Sequence, residues 1–250
     1  MLGRPPHPGG TVCRSMVEPI VIEGQRAWLK QYAKGRRVLA LGLLNVVAHH
    51  FKLDALRPPP HRGGQGACRT ESRRLRELHA QGVNVPQLLG SGEAALLLED
   101  NGCCFNICLR RADPVGRDVL VATALQAIAA AHATGAYFGQ PLPRNLTWDG
   151  TRVGFIDFEE DPLEVMDLVH AQARDWLMFA YGAARYYADR PRQLQLLMTQ
   201  TMREIEPRVI THVHAVSRRL HRLARTLLYM GRPARRLAQA ILIVHAASRR

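Results

Sequence analysis

Alternating apolar and polar residues predict β-strands in the first part of the chain. Runs with a two-residue period, or short apolar runs bounded by turn residues, cover positions 17–23, 26–32, 85–89 and 94–98. In the second run the period places Trp28, Lys30 and Tyr32 on one face of the strand. We therefore expect a small sheet on which a lysine lies between two aromatic side chains.

Helical periodicity dominates the rest of the chain. Helices are predicted over residues 36–56, 70–82, 115–134, 163–189, 191–206, 207–230 and 232–248. The segments 1–15 and 57–66 are rich in Pro and Gly, which predicts a loose tail and an irregular loop. Because strands come early and helices late, the pattern predicts an α+β fold with two lobes. A sheet-plus-helix lobe would cover residues 16–100, and a larger helical lobe would cover residues 101–250.

An acidic residue lies on the apolar face of the helix predicted at 70–82. Glu71, Leu75 and Leu78 are spaced so that they share one face of this helix. Burying an unpaired carboxylate costs several kcal/mol. The sequence therefore predicts that Glu71 has a cationic partner.

Residues 132–160 combine features that we expect to carry chemistry. This stretch ends a helix, passes through a Pro-punctuated loop, turns at 148–150 and enters a strand that delivers Asp157. Asn145 lies in the loop, about a dozen residues before Asp157. Amide and carboxylate oxygens are the ligands that Mg²⁺ prefers, so both side chains are candidate magnesium ligands.

The net charge of +13 comes mainly from arginine and predicts a polyanionic partner, such as a nucleotide, nucleic acid, phospholipid or anionic saccharide. The five cysteines lack CxxC spacing, which favours a reduced protein over a disulfide-bonded or zinc-binding one. No uncharged apolar run approaches the ~18–20 residues of a membrane span, and the first residues lack the apolar core of a signal peptide. We expect a cytoplasmic protein, free or peripheral at the inner face of the membrane.

Motifs in a particular order give these features a family resemblance. Along residues 17–185 the order is Trp28-Leu29-Lys30 on a strand, Glu71 in TESRRLREL, GVNVPQLLG before a hinge, His132 and Gly135, the loop 138–145, and Ile-Asp-Phe-Glu at 156–159. This order resembles the protein-kinase-like superfamily, most closely the small bacterial lipopolysaccharide-kinase-like and Bud32-like phosphotransferases. The resemblance implies a two-lobed protein-kinase-like fold and an enzyme that uses ATP and Mg²⁺.

The resemblance also implies roles for the residues that contact nucleotide and metal. Lys30 would bind the α- and β-phosphates of ATP and pair with Glu71. Asn145 and Asp157 would bind Mg²⁺ that bridges the phosphates. Phosphoryl transfer depends mainly on such positioning and charge neutralisation, so these four residues form the predicted nucleotide and metal apparatus.

Other residues would support this apparatus. Glu99 and Asn101 would bound the hinge that contacts adenine, largely through its backbone. Asp175 matches the buried acid that holds the catalytic-loop backbone, although Asp167 is an alternative for that role. His132 is expected to brace the end of its helix against the loop.

Three departures from the superfamily pattern bear on activity. In Phe138-Gly139-Gln140, Gln140 stands where the catalytic aspartate is expected; an amide can orient an acceptor hydroxyl but cannot take its proton. No glycine-rich phosphate loop is visible between the first two strands. Trp28 occupies a position that is usually small, so it either stacks on the adenine or blocks the pocket.

The sequence therefore supports two leading hypotheses. The first is a kinase-like phosphotransferase that acts on a hydroxyl of a glycolipid, a saccharide or a protein Ser/Thr. The alternative is a pseudokinase, a nucleotide-binding or regulatory module, because Gln140 replaces the catalytic aspartate.

The C-terminal helices carry an arginine-rich face. Between residues 209 and 229, arginines alternate with leucines at helical spacing. Such a face is either a solvated helix surface or a docking surface for anionic membrane or glycolipid headgroups. Nucleic acid is the less favoured partner, because no nucleic-acid-binding module is recognisable and few aromatic residues are interleaved.

Overall fold

The early strands form an antiparallel sheet. The computed structural model describes residues 16–33, 54–60 and 62–249. The strands of this sheet are β1 (Met16–Ile22), β2 (Gln25–Gln31), β3 (Leu88–Ser91) and β4 (Ala95–Glu99), in the order β1-β2-β4-β3. Lys30 on β2 pairs with Val17 on β1 and Leu96 on β4. Its backbone is therefore fixed on both sides.

Helix α1 (Gly64–Ala80) packs against β3 and β4 and buries Leu75 and Leu78. It begins at Gly64, so the prediction of an irregular loop through residue 66 and a helix from residue 70 is wrong. Glycine costs about 1 kcal/mol in a helix, but this first turn buries Ala67 and Cys68 against the rest of the protein. Tertiary packing thus overrides local propensity.

The second half of the described chain is mainly helical. Its helices are α2 (Phe105–Arg111), α3 (Pro114–Ala133), α4 (Leu168–Ala183), α5 (Pro191–Met202), α6 (Pro207–Leu227) and α7 (Arg232–Ala247). The strands β5 (Cys103–Cys104), β6 (Leu146–Trp148) and β7 (Val153–Phe155) form a small antiparallel sheet in the order β5-β6-β7. This sheet carries the loop that was predicted to hold functional residues.

Two further details of the helical prediction are wrong. The helix at Phe105–Arg111 was not predicted, and the segment 163–189 is not one helix. Instead, short 3₁₀ turns at Pro162–Glu164 and Ala184–Tyr186 precede and follow α4. Asp167 caps α4 by accepting a hydrogen bond from the His170 backbone N–H at 2.9 Å, which fixes where the helix begins.

One hydrophobic core connects the sheet with the helices. It runs from Tyr32 and Leu78 beside the first sheet to Trp176 and Val213 among the helices. This architecture confirms the predicted α+β fold, with a small sheet-plus-helix part followed by a larger helical part, and it is consistent with a protein-kinase-like fold. The boundary predicted between residues 100 and 101 remains a prediction.

Two predicted segments fall largely outside the described residues. They are the loose tail predicted at 1–15 and the helix predicted at 36–56. Of the second segment, the structure describes only the end, which forms a 3₁₀ turn at Asp54–Leu56. Among the helices that the structure describes, none combines the length and the apolar character required to cross a membrane.

Candidate active site

A buried ion pair joins β2 to α1. The Lys30 Nζ lies 2.7 Å from the Glu71 Oε2, and the two residues are only 6% and 1% exposed. Strand alternation turns Lys30 inward, while the helical spacing of Glu71, Leu75 and Leu78 places the carboxylate on the buried face of α1. The prediction that Glu71 has a cationic partner is confirmed.

Tyr32 completes the surroundings of Glu71. Its hydroxyl donates a hydrogen bond to the same Oε2 at 2.7 Å. Burial raises the pKa of Glu71, and the ammonium of Lys30 opposes that rise. Burial alone would lower the pKa of Lys30, but its carboxylate neighbours outweigh burial and raise it. Lys30 therefore stays charged at neutral pH.

The segment after β7 brings two more carboxylates to Lys30. Its Nζ lies 2.9 Å from the Asp157 Oδ1 and 3.1 Å from the Glu159 Oε1. The strand ends at Phe155, two residues before Asp157, and Asp157 has a left-handed φ of 74°. This conformation is uncommon for a non-glycine residue, so the chain reverses where the carboxylate is presented.

Oxygens of Glu71, Asp157 and Glu159 lie within 4.8 Å of one another, close enough to hold a metal ion. Carboxylate oxygens suit a hard cation such as Mg²⁺, so the donor set fits the predicted metal. Glu159 was missed as a candidate, because the Ile-Asp-Phe-Glu motif was interpreted through Asp157 alone. Its two-residue spacing from Asp157 was the available signal.

A backbone hydrogen bond joins Asn145 to the residue before Asp157. The Ile156 N–H donates to the Asn145 carbonyl oxygen at 2.9 Å. The Asn145 side-chain Nδ2 donates to the Gln140 carbonyl oxygen at 3.0 Å. This leaves the side-chain oxygen as the group of Asn145 with which it can bind a cation.

A buried aspartate on α4 holds the loop that contains Gln140. The carboxylate of Asp175 accepts hydrogen bonds from the backbone N–H groups of Phe138 at 2.8 Å and Gly139 at 2.6 Å. It also contacts the His132 Nε2 at 3.0 Å. Of the two alternatives, Asp175 therefore holds the loop, whereas Asp167 caps α4.

Two further side chains of α4 contact the same loop. The Gln172 Nε2 donates to the carbonyl oxygens of His132 and Ala136, and the Arg174 Nε donates to that of Gly139 at 2.9 Å. Both side chains are buried. Sequence reasoning missed them, although polar residues inside an otherwise apolar helix face were a visible signal.

Gln140 and Glu160 are hydrogen-bonded to each other. The Gln140 Nε2 donates to the Glu160 Oε2 at 3.0 Å. Gly139, directly before Gln140, has a φ of 90°, and an added Cβ there would lie 2.6 Å from the Pro162 Cγ. The loop therefore requires glycine at this position. Glu160 was also missed by sequence reasoning.

Asp161 ties α1 to the loop. It accepts hydrogen bonds from the Arg73 Nη2 at 2.6 Å and the Tyr137 hydroxyl at 2.8 Å. Arg74, the next residue of α1, donates to the Tyr137 carbonyl oxygen at 2.6 Å. Burial opposes ionisation of Asp161, but the hydrogen bonds from Arg73 and Tyr137 lower its pKa.

The predicted hinge contains Glu99 and Asn101. Between them, Asp100 accepts hydrogen bonds from the Trp28 Nε1 at 3.1 Å and from the Gly102 backbone at 3.2 Å. The Asn101 side chain is directed toward Gly154, and the Glu99 side chain is exposed. Trp28 is thus hydrogen-bonded to the predicted hinge. Nucleotide contacts by Glu99 and Asn101 remain a prediction.

Comparisons with known proteins give limited similarity. No family model matches the sequence. The chain is 26% identical over 145 residues to an uncharacterized protein of Haemophilus influenzae, an alignment that covers 57% of this chain and 52% of that protein. The chain therefore spans about half the length of this curated relative. Among solved structures it is similar to WaaP in complex with acyl carrier protein, with a TM-score of 0.49 and 14% identity over 92% of this chain and 87% of that one. These values assign no function.

We predict that Lys30→Met destabilises the protein more than Glu71→Gln does. Removing Lys30 leaves Glu71 buried without its ammonium partner, a loss of about 3–5 kcal/mol in the free energy of unfolding. Removing the charge of Glu71 leaves Lys30 with Asp157 and Glu159, so the loss is smaller. Denaturant unfolding of both variants measures the difference. An equal or larger loss in Glu71→Gln would contradict the argument that Glu71 needs Lys30 more than Lys30 needs Glu71.

We predict that Asp161→Asn lowers the free energy of unfolding by about 1–3 kcal/mol at neutral pH. The folded-state pKa is depressed, so the stabilisation is present above the unfolded pKa of about 3.9 and is lost as pH falls through the lower folded value. The difference in the free energy of unfolding between parent and variant should therefore become smaller below about pH 4. Urea unfolding at neutral and acidic pH measures this difference. The exposed Asp189 provides the control variant Asp189→Asn, for which no such difference is expected.

Proposed function

We propose that the protein is a kinase-like phosphotransferase that binds ATP with Mg²⁺ and transfers a phosphoryl group to a hydroxyl acceptor. The observation that carries this proposal is the buried Lys30–Glu71 pair, with Asp157 within 2.9 Å of the same ammonium. Phosphoryl transfer needs a fixed cation for the phosphates and oxygen ligands for the metal. Both are present in one cluster.

Lys30 would contact the α- and β-phosphates, held in place by Glu71. Asp157 and Asn145 would bind Mg²⁺, and Glu159 is a further oxygen donor in the same cluster. Mg²⁺ bound there would neutralise negative charge on the phosphates. The backbone between Glu99 and Asn101 would receive the adenine.

A nucleotide-binding pseudokinase is the second candidate function. Gln140 favours it, because an amide at the catalytic position cannot accept the proton of an acceptor hydroxyl. The two candidates share nucleotide binding and differ in turnover. Binding and turnover are therefore measured separately.

We predict that ATP with Mg²⁺ raises the melting temperature of the protein. A ligand present at about 100 times its Kd stabilises the folded state by about 2.7 kcal/mol. Asp157→Asn should lose the magnesium-dependent part of the shift, while Asp149→Asn, which removes an exposed acid in the turn before β7, should keep it. Differential scanning fluorimetry with ATP, with and without Mg²⁺, measures the shift. A parent protein that shows no shift would rule out both candidate functions.

The hairpin of α6 and α7 offers a surface for an anionic partner. The sequence has no Asp or Glu from residue 207 to residue 250. Exposed arginines surround the connection between the two helices, at positions 218, 219, 222, 225, 232, 235 and 236. At the connection itself, Tyr229 is 91% exposed and Met230 is 53% exposed.

We propose that this hairpin docks on an anionic membrane. An arginine near a negatively charged leaflet contributes about 1 kcal/mol, and exposed aromatic and apolar side chains insert at the headgroup level. The exposed Tyr229 and Met230 favour a membrane over nucleic acid. Docking at the inner face of a membrane would make a glycolipid hydroxyl an accessible acceptor.

We predict that the protein binds vesicles of phosphatidylcholine mixed with phosphatidylglycerol but not vesicles of phosphatidylcholine alone. Salt should weaken binding, because it screens the arginine charges. The double variant Tyr229→Ser/Met230→Ser should bind less, whereas Leu196→Ser, which changes another exposed apolar residue, should bind like the parent. Vesicle cosedimentation measures binding. Salt-dependent binding to duplex DNA without vesicle binding would identify nucleic acid as the partner instead.

A further inference from the structure

The residue at the catalytic position has a carboxylate next to its tip. Gln140 stands where the superfamily pattern places a catalytic aspartate, and its Nε2 lies 3.0 Å from the Glu160 Oε2. A proton acceptor must lie within hydrogen-bonding reach of the reacting hydroxyl. Glu160 thus places an acidic oxygen beside the amide that stands at the position of the expected acid.

The loop side of this contact is fixed by the backbone. The Gln140 carbonyl oxygen accepts hydrogen bonds from the Asn145 Nδ2 at 3.0 Å and from the Leu142 N–H at 2.7 Å. Asp175 holds the N–H of the preceding Gly139. The backbone at Gln140, from which the side chain extends, is therefore held by hydrogen bonds on both sides.

The Glu160 side of the contact is fixed by its two neighbours in sequence. Glu159 contacts the Lys30 Nζ at 3.1 Å, and Asp161 is held by Arg73 and Tyr137. Phe158 is 2% exposed and anchors the same segment in the core. The segment thus delivers Glu160 to the loop from an anchored backbone.

The local charge also suits a carboxylate at this place. The buried guanidinium of Arg174 interacts electrostatically with Glu160 while it donates to the Gly139 carbonyl oxygen. Opposite charges therefore lie next to the loop that contains Gln140.

We infer that Glu160 is the catalytic base of this protein and replaces the carboxylate that Gln140 lacks. The inference rests on the proposed phosphotransferase function. It assigns separate roles to the two side chains. The Gln140 Nε2 donates one hydrogen to Glu160 and can donate its other hydrogen to the acceptor oxygen, which leaves the hydroxyl hydrogen for the Glu160 carboxylate. Gln140 orients the acceptor, and Glu160 takes its proton.

The reaction balances without another participant. The acceptor oxygen forms a bond to the γ-phosphorus of ATP, and the bond between that phosphorus and the β–γ bridging oxygen breaks. ADP leaves with the bonding electron pair. The acceptor proton passes to the Glu160 carboxylate and from there to water, which restores the charged base.

The test compares the parent with Glu160→Gln, Gln140→Asp and the double variant Gln140→Asp/Glu160→Gln. Glutamine at position 160 keeps the size and hydrogen-bonding capacity of the side chain, so the loop contact can be retained. The probe is ATP with Mg²⁺ alone, with ADP release and self-phosphorylation measured at neutral pH. The thermal shift with Mg²⁺ and ATP is recorded for every variant, so that loss of binding is separated from loss of turnover.

We expect Glu160→Gln to lower turnover by about 10²–10⁴-fold, the usual loss when a general base is removed. It should keep the nucleotide-dependent thermal shift, so that the loss is in turnover and not in nucleotide binding. The double variant should recover turnover, because Gln140→Asp places a carboxylate at the usual position. Glu164→Gln, which removes an exposed acid four residues along the chain, should behave like the parent.

Three results would overturn the inference. If Glu160→Gln turns over like an active parent, Glu160 is not the base, although the proposed phosphotransferase function stands. If the parent binds ATP with Mg²⁺ but shows no turnover, the pseudokinase is correct and no base is needed. If the parent shows no thermal shift, the proposed function itself fails and the inference fails with it.

Discussion

The charge of Lys30 is the constraint on which the site depends. A buried ammonium is stable only with good partners, because removing it from water costs several kcal/mol. Lys30 has carboxylates from α1 and from the segment after β7 within 3.1 Å. Each of these elements must therefore stay in place for the ammonium to remain compensated. One side chain thus links the sheet, the adjoining helix and the segment that carries Asp157.

A second anchor acts from the helical part of the protein. Three polar side chains of α4 contact the loop before Gln140. They lie close together along the helix, at Gln172, Arg174 and Asp175. They satisfy backbone groups that would otherwise be buried without partners, which costs about 1–3 kcal/mol each. The loop is therefore held by a helix, whereas Lys30 is held by the opposite part of the chain. Asp161 joins the two anchors through Arg73 and Tyr137.

The sequence predicted those contacts that local periodicity determines. The apolar stripe around Glu71 indicated a cation, and strand alternation indicated which face Lys30 occupies. Periodicity does not specify which of several acids approaches a given partner from a distant segment. The contacts of Glu159 and Glu160, and the choice of Asp175 over Asp167, are therefore visible only in the folded structure. The early start of α1 at Gly64 was missed for a related reason. Burial of the first turn is a tertiary effect that local propensity does not contain.

Four acids within the five residues 157–161 would repel one another if they shared one environment. The fold separates them by giving each a different neighbour. Asp157 and Glu159 contact Lys30, Glu160 contacts Gln140, and Asp161 contacts Arg73. These neighbours come from β2, from the loop and from α1, so repulsion along a short segment becomes attraction to three separate elements. The same distribution leaves carboxylates of different surroundings side by side, which is the condition under which adjacent acids can take different chemical roles.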